Sequence, residues 1–118
     1  MKENELVIYS VNLAIEIVEY YKWLIDTKKE FVMSKQILRS GTSIGANIHE
    51  AQYAVSKADF ISKMQIALKE CYESEYWLEL LNRTGYIPDE QYKPIQNDCG
   101  AIRRMLITSI NTVKKNTK

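Results

Sequence analysis

Apolar residues recur along this chain at steps of three and four, which is the spacing of an amphipathic α-helix. The pattern predicts four helices and no strand of useful length. It is most regular in the third segment, where a seven-residue repeat runs through Phe60, Met64, Ala67, Cys71, Ser74, Leu78 and Leu81. Such a repeat is typical of helices that pack in bundles. We therefore predict an all-α bundle.

The first predicted helix carries two apolar rows. One row comprises Val7, Val11, Ala14, Val18, Tyr21 and Ile25, and the other comprises Leu6, Leu13, Ile17, Tyr20 and Leu24. An isolated bundle needs only one apolar face on each helix, so the second row predicts contact with another subunit. The polar residues 27–30 are predicted to end the helix.

The second helix is predicted to begin near Met33 or Ser34. Its inward stripe comprises Ile37, Gly41, Ile44, Ile48 and Ala51. The two glycines, Gly41 and Gly45, would also suit a loop, but the isoleucine spacing continues through them without a phase change and favours a helix. Because a glycine costs a helix interior about 1 kcal/mol relative to alanine, we expect a neighbouring helix to approach closely here.

The third helix is predicted to end at Gly85 in the left-handed conformation, with Tyr86 or Ile87 folding back onto its last turn. Pro88 and the acids after it suit the start of a fourth helix. Its apolar stripe comprises Ile95, Cys99, Ile102, Leu106 and Val113. Pro94 predicts either a bend or a later start. Residues 114–118 are predicted to fray.

Composition places limits on the class of protein. The length of 118 residues predicts a single domain over residues 1–118. The 16 basic and 15 acidic residues give a net charge of +1, so charge alone predicts no polyanionic partner. No signal peptide or long apolar run is evident, which predicts a cytoplasmic protein without a membrane span. Cys71 and Cys99 lie among apolar residues at helical spacing and are predicted to be reduced, buried thiols.

A strip of polar residues borders the core side of the second helix. It comprises Ser40, Ser43, Asn47 and Glu50. The strip could bind a ligand, or its hydrogen bonds could fix how helices or subunits align. We favour the structural interpretation, since packing motifs of small and hydroxyl residues recur without chemistry.

Titratable residues give no catalytic pattern. Glu70 and Glu73 flank the packing face of the third helix, where Arg39 or Lys35 could form ion pairs with them. A di-metal centre would need two Glu-x-x-His elements, whereas the chain has a single histidine, His49. No phosphate-binding loop and no nucleophile motif is present. We therefore predict no enzymatic activity, no cofactor and no metal.

Positive charge concentrates on the fourth helix, at Arg103, Arg104, Lys114 and Lys115. Basic residues in such a pattern usually lie on a helix face that is exposed to solvent. If several copies assembled around an axis, however, the patch would be repeated and could bind an RNA backbone in a salt-sensitive way. These four residues are the candidate nucleic-acid contacts.

Two segments together resemble a known family. The pattern Arg-Ser-x-x-Ser-Ile-x-x-Asn-Ile-x-Glu is met by Arg39, Ser40, Ser43, Ile44, Asn47, Ile48 and Glu50, and residues 67–78 contain Ala-Leu-Lys-Glu, a further Glu and Tyr-Trp-Leu. This combination resembles the four-helix-bundle family whose first members are encoded in intervening sequences of large-subunit ribosomal RNA genes. Ala51 departs from the family, which often has glycine there, and at this position the second helix is expected either to end or to bend.

The resemblance implies an antiparallel up-and-down bundle, a ring-like homopentamer and no enzymatic activity. Related accessory variability determinant proteins of diversity-generating retroelements share the bundle and bind nucleic acid. By this kinship we expect a non-catalytic oligomeric module that binds RNA or a nucleic-acid-processing protein, with the first and fourth helices at the subunit interface. The alternative is a structural or protein-interaction oligomer without nucleic-acid affinity.

Overall fold

Residues 2–116, which a computed structural model describes with side chains from Glu5 onward, form four helices and no strand. The helices are α1 (Lys2–Asp26), α2 (Met33–Ala51), α3 (Lys57–Arg83) and α4 (Asp89–Lys115). Each helix packs along the next one in the chain, and α4 returns beside α1. The result is an antiparallel up-and-down bundle that measures 51 × 21 × 20 Å. The predicted fold class is confirmed.

One inward stripe from each helix forms the core. On α1 only the row that contains Leu6, Leu13, Ile17 and Leu24 is buried. The predicted stripes of α2 and α3 are buried apart from Phe60, which is half-buried. On α4 the buried stripe ends at Ile110, whereas Val113, which the sequence pattern placed in it, is half-buried.

The connection from α1 to α2 depends on a residue that the sequence analysis missed. Glu30 is buried, and its carboxylate accepts hydrogen bonds from the backbone N–H groups of Val32, Met33 and Ser34 at 3.2, 3.0 and 2.7 Å. These are N–H groups at the start of α2 that have no partner within the helix. The Ser34 hydroxyl also donates to the Glu30 carbonyl at 2.8 Å. Glu30 therefore fixes the start of α2 at Met33, one of the two predicted positions.

The two glycines of α2 lie against α1. A Cβ atom on Gly41 would lie 2.9 Å from both Cγ1 and Cγ2 of Ile17, closer than carbon atoms normally approach. A Cβ atom on Gly45 would lie 3.3 Å from the Ser10 hydroxyl. The predicted close helix approach is confirmed, and α1 is the helix that makes it.

The remaining helix ends follow local sequence signals. Gly85 has a φ of 89°, and the N–H groups of Tyr86 and Ile87 donate to the Leu81 carbonyl at 2.9 and 3.2 Å, as predicted for this C-terminus. α2 ends at Ala51. α4 begins at Asp89, directly after Pro88 as the sequence indicates, and contains Pro94, so of the two alternatives for Pro94 the later start does not occur.

The C-terminal prediction is only partly covered by the structure. Lys114 and Lys115, expected in a frayed tail, belong to α4. Thr117 and Lys118 lie outside the described residues.

Candidate interaction surfaces

The polar strip of α2 is occupied by internal hydrogen bonds. The hydroxyl of Ser74 on α3 donates to that of Ser40 at 2.9 Å, and both residues are buried. Ser43 donates to the Arg39 carbonyl at 2.6 Å, and Asn47 donates to the Ser43 carbonyl at 2.9 Å. The Ser40–Ser74 bond joins α2 to α3, whereas the bonds of Ser43 and Asn47 lie within α2. These three residues therefore use hydrogen bonds inside the bundle, which supports the structural interpretation.

Arg39 joins α2 to α3, and Lys35 takes no part in the contact. One guanidinium nitrogen lies 3.4 Å from a Glu70 oxygen, and the other pairs with Glu73. Glu73 also accepts a hydrogen bond from the indole N–H of Trp77 at 3.0 Å. The predicted ion pairing is confirmed. Glu50, the last member of the polar strip, is exposed and lies 3.9 Å from the Lys63 amine.

The structure separates the four candidate nucleic-acid contacts. Arg103 donates through Nε to Glu75 on α3 at 2.9 Å and lies 5.8 Å from the centre of the Tyr72 ring. The hydrogen bond to Glu75 raises the pKa of Arg103, so its positive charge is held against a carboxylate. Arg104 is exposed and, within residues 2–116, forms no ion pair.

The end of α4 presents further positive charge. Lys114 and Lys115 are exposed, and neither pairs with a carboxylate of the described residues. Lys115 follows Arg104 by three helical turns, about 16 Å along the same face. The Lys57 amine, at the start of α3, donates to the Asn116 carbonyl at 3.0 Å, which places another cation at this end. We call Arg104, Lys114 and Lys115 the basic face.

An apolar surface runs along the outside of α1. Ile8, Val11 and Ile15 expose 55%, 50% and 52% of their surface, and Val18 continues their line as a half-buried residue. We call these four residues the α1 strip. The outward row that the sequence predicts for α1 includes Val11 and Val18 but not Ile8 and Ile15. Their seven-residue spacing was the available signal.

A groove opens beside α4 at the end of the bundle where α1 begins and α4 ends; its other side is formed by the start of α1 together with residues 51–60, which connect α2 to α3. Its volume is about 1050 Å³. Apolar lining comes from Leu6, Ala51, Phe60, Ala101, Met105 and Val113, whereas Glu5, Lys57 and Arg104 supply charge. We call it the α1–α4 groove. The groove cannot be predicted from the sequence pattern, because it depends on how far α4 lies from α1.

Further from the groove, two carboxyl groups meet between α1 and α4. Burial, a hydrogen bond with Asp98 and the negative charges of Asp98 and Glu19 raise the pKa of Glu16 to about 7. One turn along α1, the Tyr20 hydroxyl donates to the Gln91 carbonyl at 3.2 Å. These contacts identify the side of α1 that faces α4.

The remaining reactive groups show no site. Cys71 and Cys99 are free and buried, and a hydrogen bond with Cys99 together with burial raises the pKa of the Cys71 thiol. His49 is exposed beside the Tyr53 ring. Among the described residues, no three His, Cys, Asp or Glu side chains converge as a metal ion would require. No helix in that part of the chain has the length and apolar character to cross a bilayer.

These features define a four-helix-bundle protein with an exposed apolar strip, an apolar groove and a basic face. The sequence pattern of the 23S rRNA-intervening sequence protein family matches residues 2–108, and the chain belongs to that family. The predicted family resemblance is thereby confirmed.

A solved structure is similar over nearly the whole chain. It is the 1.70 Å crystal structure of a protein with unknown function from the S23 ribosomal protein family of Bacteroides thetaiotaomicron VPI-5482. The two chains are 59% identical, with a TM-score of 0.93, and the match covers 94% of this chain and 99% of that chain. No functionally curated protein matches the sequence.

Proposed function

We propose that this protein is a non-catalytic oligomeric module that binds RNA through the basic face of α4. The observation that carries the proposal is the exposure of Arg104, Lys114 and Lys115 without carboxylate partners in the described part of the chain. Arg103 is left out of the proposed contacts, since Glu75 already holds its guanidinium.

Assembly of several copies raises the affinity that a small basic face has for RNA. Three cations on one chain give weak, salt-sensitive attraction to a phosphate backbone. When several copies are held together, later contacts become intramolecular and the overall affinity rises without new contacts. The net charge of +1 is compatible with this arrangement, because the local patch and not the total charge meets the RNA.

The α1 strip supports the oligomeric part of the proposal. Ile8, Val11 and Ile15 are each about half exposed, although isoleucine and valine are among the residues most often buried. Covering the exposed half of such a side chain contributes about 1 kcal/mol. Repeated along the strip, this gain favours contact with another subunit.

A structural oligomer without RNA affinity is the alternative. It is favoured by the ion pairs of Arg39 and Arg103, since these remove two guanidinium groups from the surface available to phosphate. If the partner were a protein instead of RNA, the basic face would likewise make no contact with RNA. Both alternatives predict that neutralising the basic face has no specific effect on RNA retention.

The test compares two variants that lose the same charge. The first changes Arg104, Lys114 and Lys115 to Gln, and the matched control changes the exposed lysines Lys35, Lys69 and Lys93 to Gln. Binding of a fluorescently labelled structured RNA is measured by anisotropy from 50 to 200 mM salt, roughly the range over which phosphate contacts weaken by orders of magnitude.

We expect wild type and control to bind, with affinity that falls steeply as salt rises. The basic-face variant should bind more weakly and lose about two units of the log–log salt slope per chain. Equal weakening in both variants would remove the basic face from the account. Failure of wild type to bind at 50 mM salt would favour the structural oligomer.

A further inference from the structure

We propose that the ring of Tyr72 on α3 is a stacking platform for an unpaired base of the RNA whose phosphates contact the basic face of α4. This inference rests on the proposed RNA binding and specifies the class of RNA, namely a strand with unpaired bases beside the phosphate contacts. It does not depend on how many copies assemble. We call the Tyr72 ring with its supporting Arg103 the α3 platform.

The Tyr72 ring is covered on one face and accessible on the other. Tyr72 exposes 52% of its surface. The guanidinium carbon of Arg103, which comes from α4, lies over the ring at 5.8 Å from its centre. A cation in this position is attracted by the electrons of the ring and occupies that face. The opposite face is then the one that another flat group can reach.

Arg103 is itself held in position. Its Nε donates to Glu75 on α3 at 2.9 Å, and both residues are half-buried. Glu75 follows Tyr72 by three residues, so the two side chains are neighbours on the surface of α3 and one arginine contacts both. The ring is therefore oriented before any ligand binds, and stacking on it costs less ordering than stacking on a mobile side chain.

The guanidinium groups of Arg103 and Arg104 converge above Gly100. Long side chains on a helix lean towards its N-terminus, so both arginines extend over the preceding turn of α4. Gly100, which has no side chain, is buried beneath them. One terminal nitrogen of each arginine lies 3.4 Å from the point that a Cβ atom on Gly100 would occupy, so the two nitrogens are no more than about 7 Å apart.

A short stretch of one strand can therefore contact Arg104 and Tyr72 together. The Arg103 guanidinium is close to both of them. A phosphate that pairs with Arg104 would hold a neighbouring nucleotide near the accessible face of the ring. A cation for the backbone beside an aromatic ring for the base is the usual arrangement of sites that bind single-stranded nucleic acid.

The strength of one stacking contact indicates that the base belongs to a strand. Stacking on one aromatic ring raises affinity by about tenfold, which is too little to retain a free nucleotide. When the same strand also contacts the basic face, the effective concentration of its bases at the ring is high. Bases that are already paired and stacked in a helix cannot reach the ring, so binding of a fully paired structured RNA does not depend on Tyr72 or Arg103.

The alternative is that Tyr72 only packs against Arg103. A second tyrosine on α3 allows the two roles to be separated. Tyr76 lies about one turn further along the helix, exposes 56% of its surface and meets the ring of Trp77 edge-on, with 5.0 Å between the ring centres. It matches Tyr72 in residue type, helix and exposure, but its ring contact is made with an indole and not with a guanidinium.

The experiment compares Tyr72→Leu with Tyr76→Leu as the matched control. Leucine keeps an apolar side chain but has no flat face, whereas Tyr72→Phe and Tyr72→Trp keep an aromatic ring. Circular dichroism checks that each variant is helical. Fluorescence anisotropy measures binding of a labelled single-stranded RNA, and of a fully paired RNA duplex of the same length, at roughly 50 and 200 mM salt.

We expect Tyr72→Leu to weaken binding of the single strand about tenfold at both salt concentrations. The salt slope should be unchanged, because stacking releases no counterions from the phosphates. Tyr72→Phe should rescue most of the affinity, and Tyr72→Trp should bind at least as tightly as Tyr72→Phe. Tyr76→Leu should bind like wild type, and the Tyr72 variants should bind the duplex as wild type does.

Other outcomes overturn the inference. They are wild-type affinity of the folded Tyr72→Leu variant for the single strand, an equal loss in Tyr76→Leu, an equal loss for the duplex, and a Tyr72→Phe variant as weak as Tyr72→Leu. Failure of wild type to bind either RNA at 50 mM salt would refute the proposed RNA binding as well. A reduced salt slope in the basic-face variant, with normal binding by Tyr72→Leu, would refute the α3 platform alone.

Discussion

Replacement of Gly41 by alanine tests the close packing of α1 on α2 most sharply. Alanine is the better helix former by about 1 kcal/mol, so without a steric conflict Gly41→Ala would stabilise the protein. The new Cβ would, however, lie 2.9 Å from two carbons of Ile17 and 3.2 Å from a third. Carbon atoms prefer about 3.5 to 4.0 Å, and the first two atoms belong to a β-branched side chain with one preferred rotamer in a helix.

Overfilling a packed core costs about 1 to 3 kcal/mol. After the gain in helix propensity is subtracted, Gly41→Ala should lower the free energy of unfolding by about 1 kcal/mol. This corresponds to a decrease of about 4 °C in melting temperature. Gly45→Ala is the matched control, because its new Cβ has more space: it would lie 3.3 Å from the Ser10 hydroxyl oxygen, 3.4 Å from the Ser10 carbonyl oxygen and 3.5 Å from the Ser10 Cβ. We expect that variant to be neutral or stabilised by up to about 1 kcal/mol.

A double-mutant cycle identifies the conflicting partner. Ile17→Ala removes both γ carbons and leaves a cavity, at a cost of about 2 to 5 kcal/mol. In that background Gly41→Ala should stabilise by about 1 kcal/mol, which gives a coupling energy of about 2 kcal/mol. Urea unfolding at one fixed protein concentration measures all four variants, since assembly makes stability depend on concentration. Equal stabilisation by Gly41→Ala in both backgrounds would refute the proposed contact.

Two further predictions concern charged groups. The pKa of Glu16 is raised above its ordinary value to about 7, so the stability associated with its neutral form is present below about pH 4.5 and is lost as the pH rises through 7. We expect Glu16→Gln to raise the unfolding free energy by about 1 kcal/mol at pH 8 and by much less at pH 5; the value at pH 8 allows for solvent screening of a half-buried group. Thermal melts at the two pH values measure the effect. Equal stabilisation at both would contradict the prediction. Arg103→Gln removes the ion pair with Glu75 and should lower the unfolding free energy by about 1 kcal/mol. RNA binding in the anisotropy assay should be unchanged. A marked loss of RNA binding would show that Arg103 belongs among the RNA contacts.

Much of the fold could be predicted because its signals are local. The isoleucine spacing of α2 continues through Gly41 and Gly45, and Gly85 marks the end of α3. The start of α2 was placed within one residue, but its cause was not found. Glu30 caps the helix from the preceding turn, and an acidic residue in a polar turn gives no distinctive pattern.

The interaction surfaces were less predictable because they depend on contacts between helices. Arg103 and Arg104 are adjacent in sequence, but only Arg103 reaches Glu75, and that partner comes from α3. Sequence alone could not separate the two arginines. The groove likewise combines Ala51 and Ala101, which are 50 positions apart, and its width depends on the path of α4.

The native mass of the unmodified protein tests most directly whether the α1 strip is covered by other copies. Light scattering at micromolar concentration should give a multiple of 13.8 kDa, and a five-membered ring would have a mass of roughly 69 kDa. A fully helical particle of 13.8 kDa that persists as the concentration is raised would contradict the account.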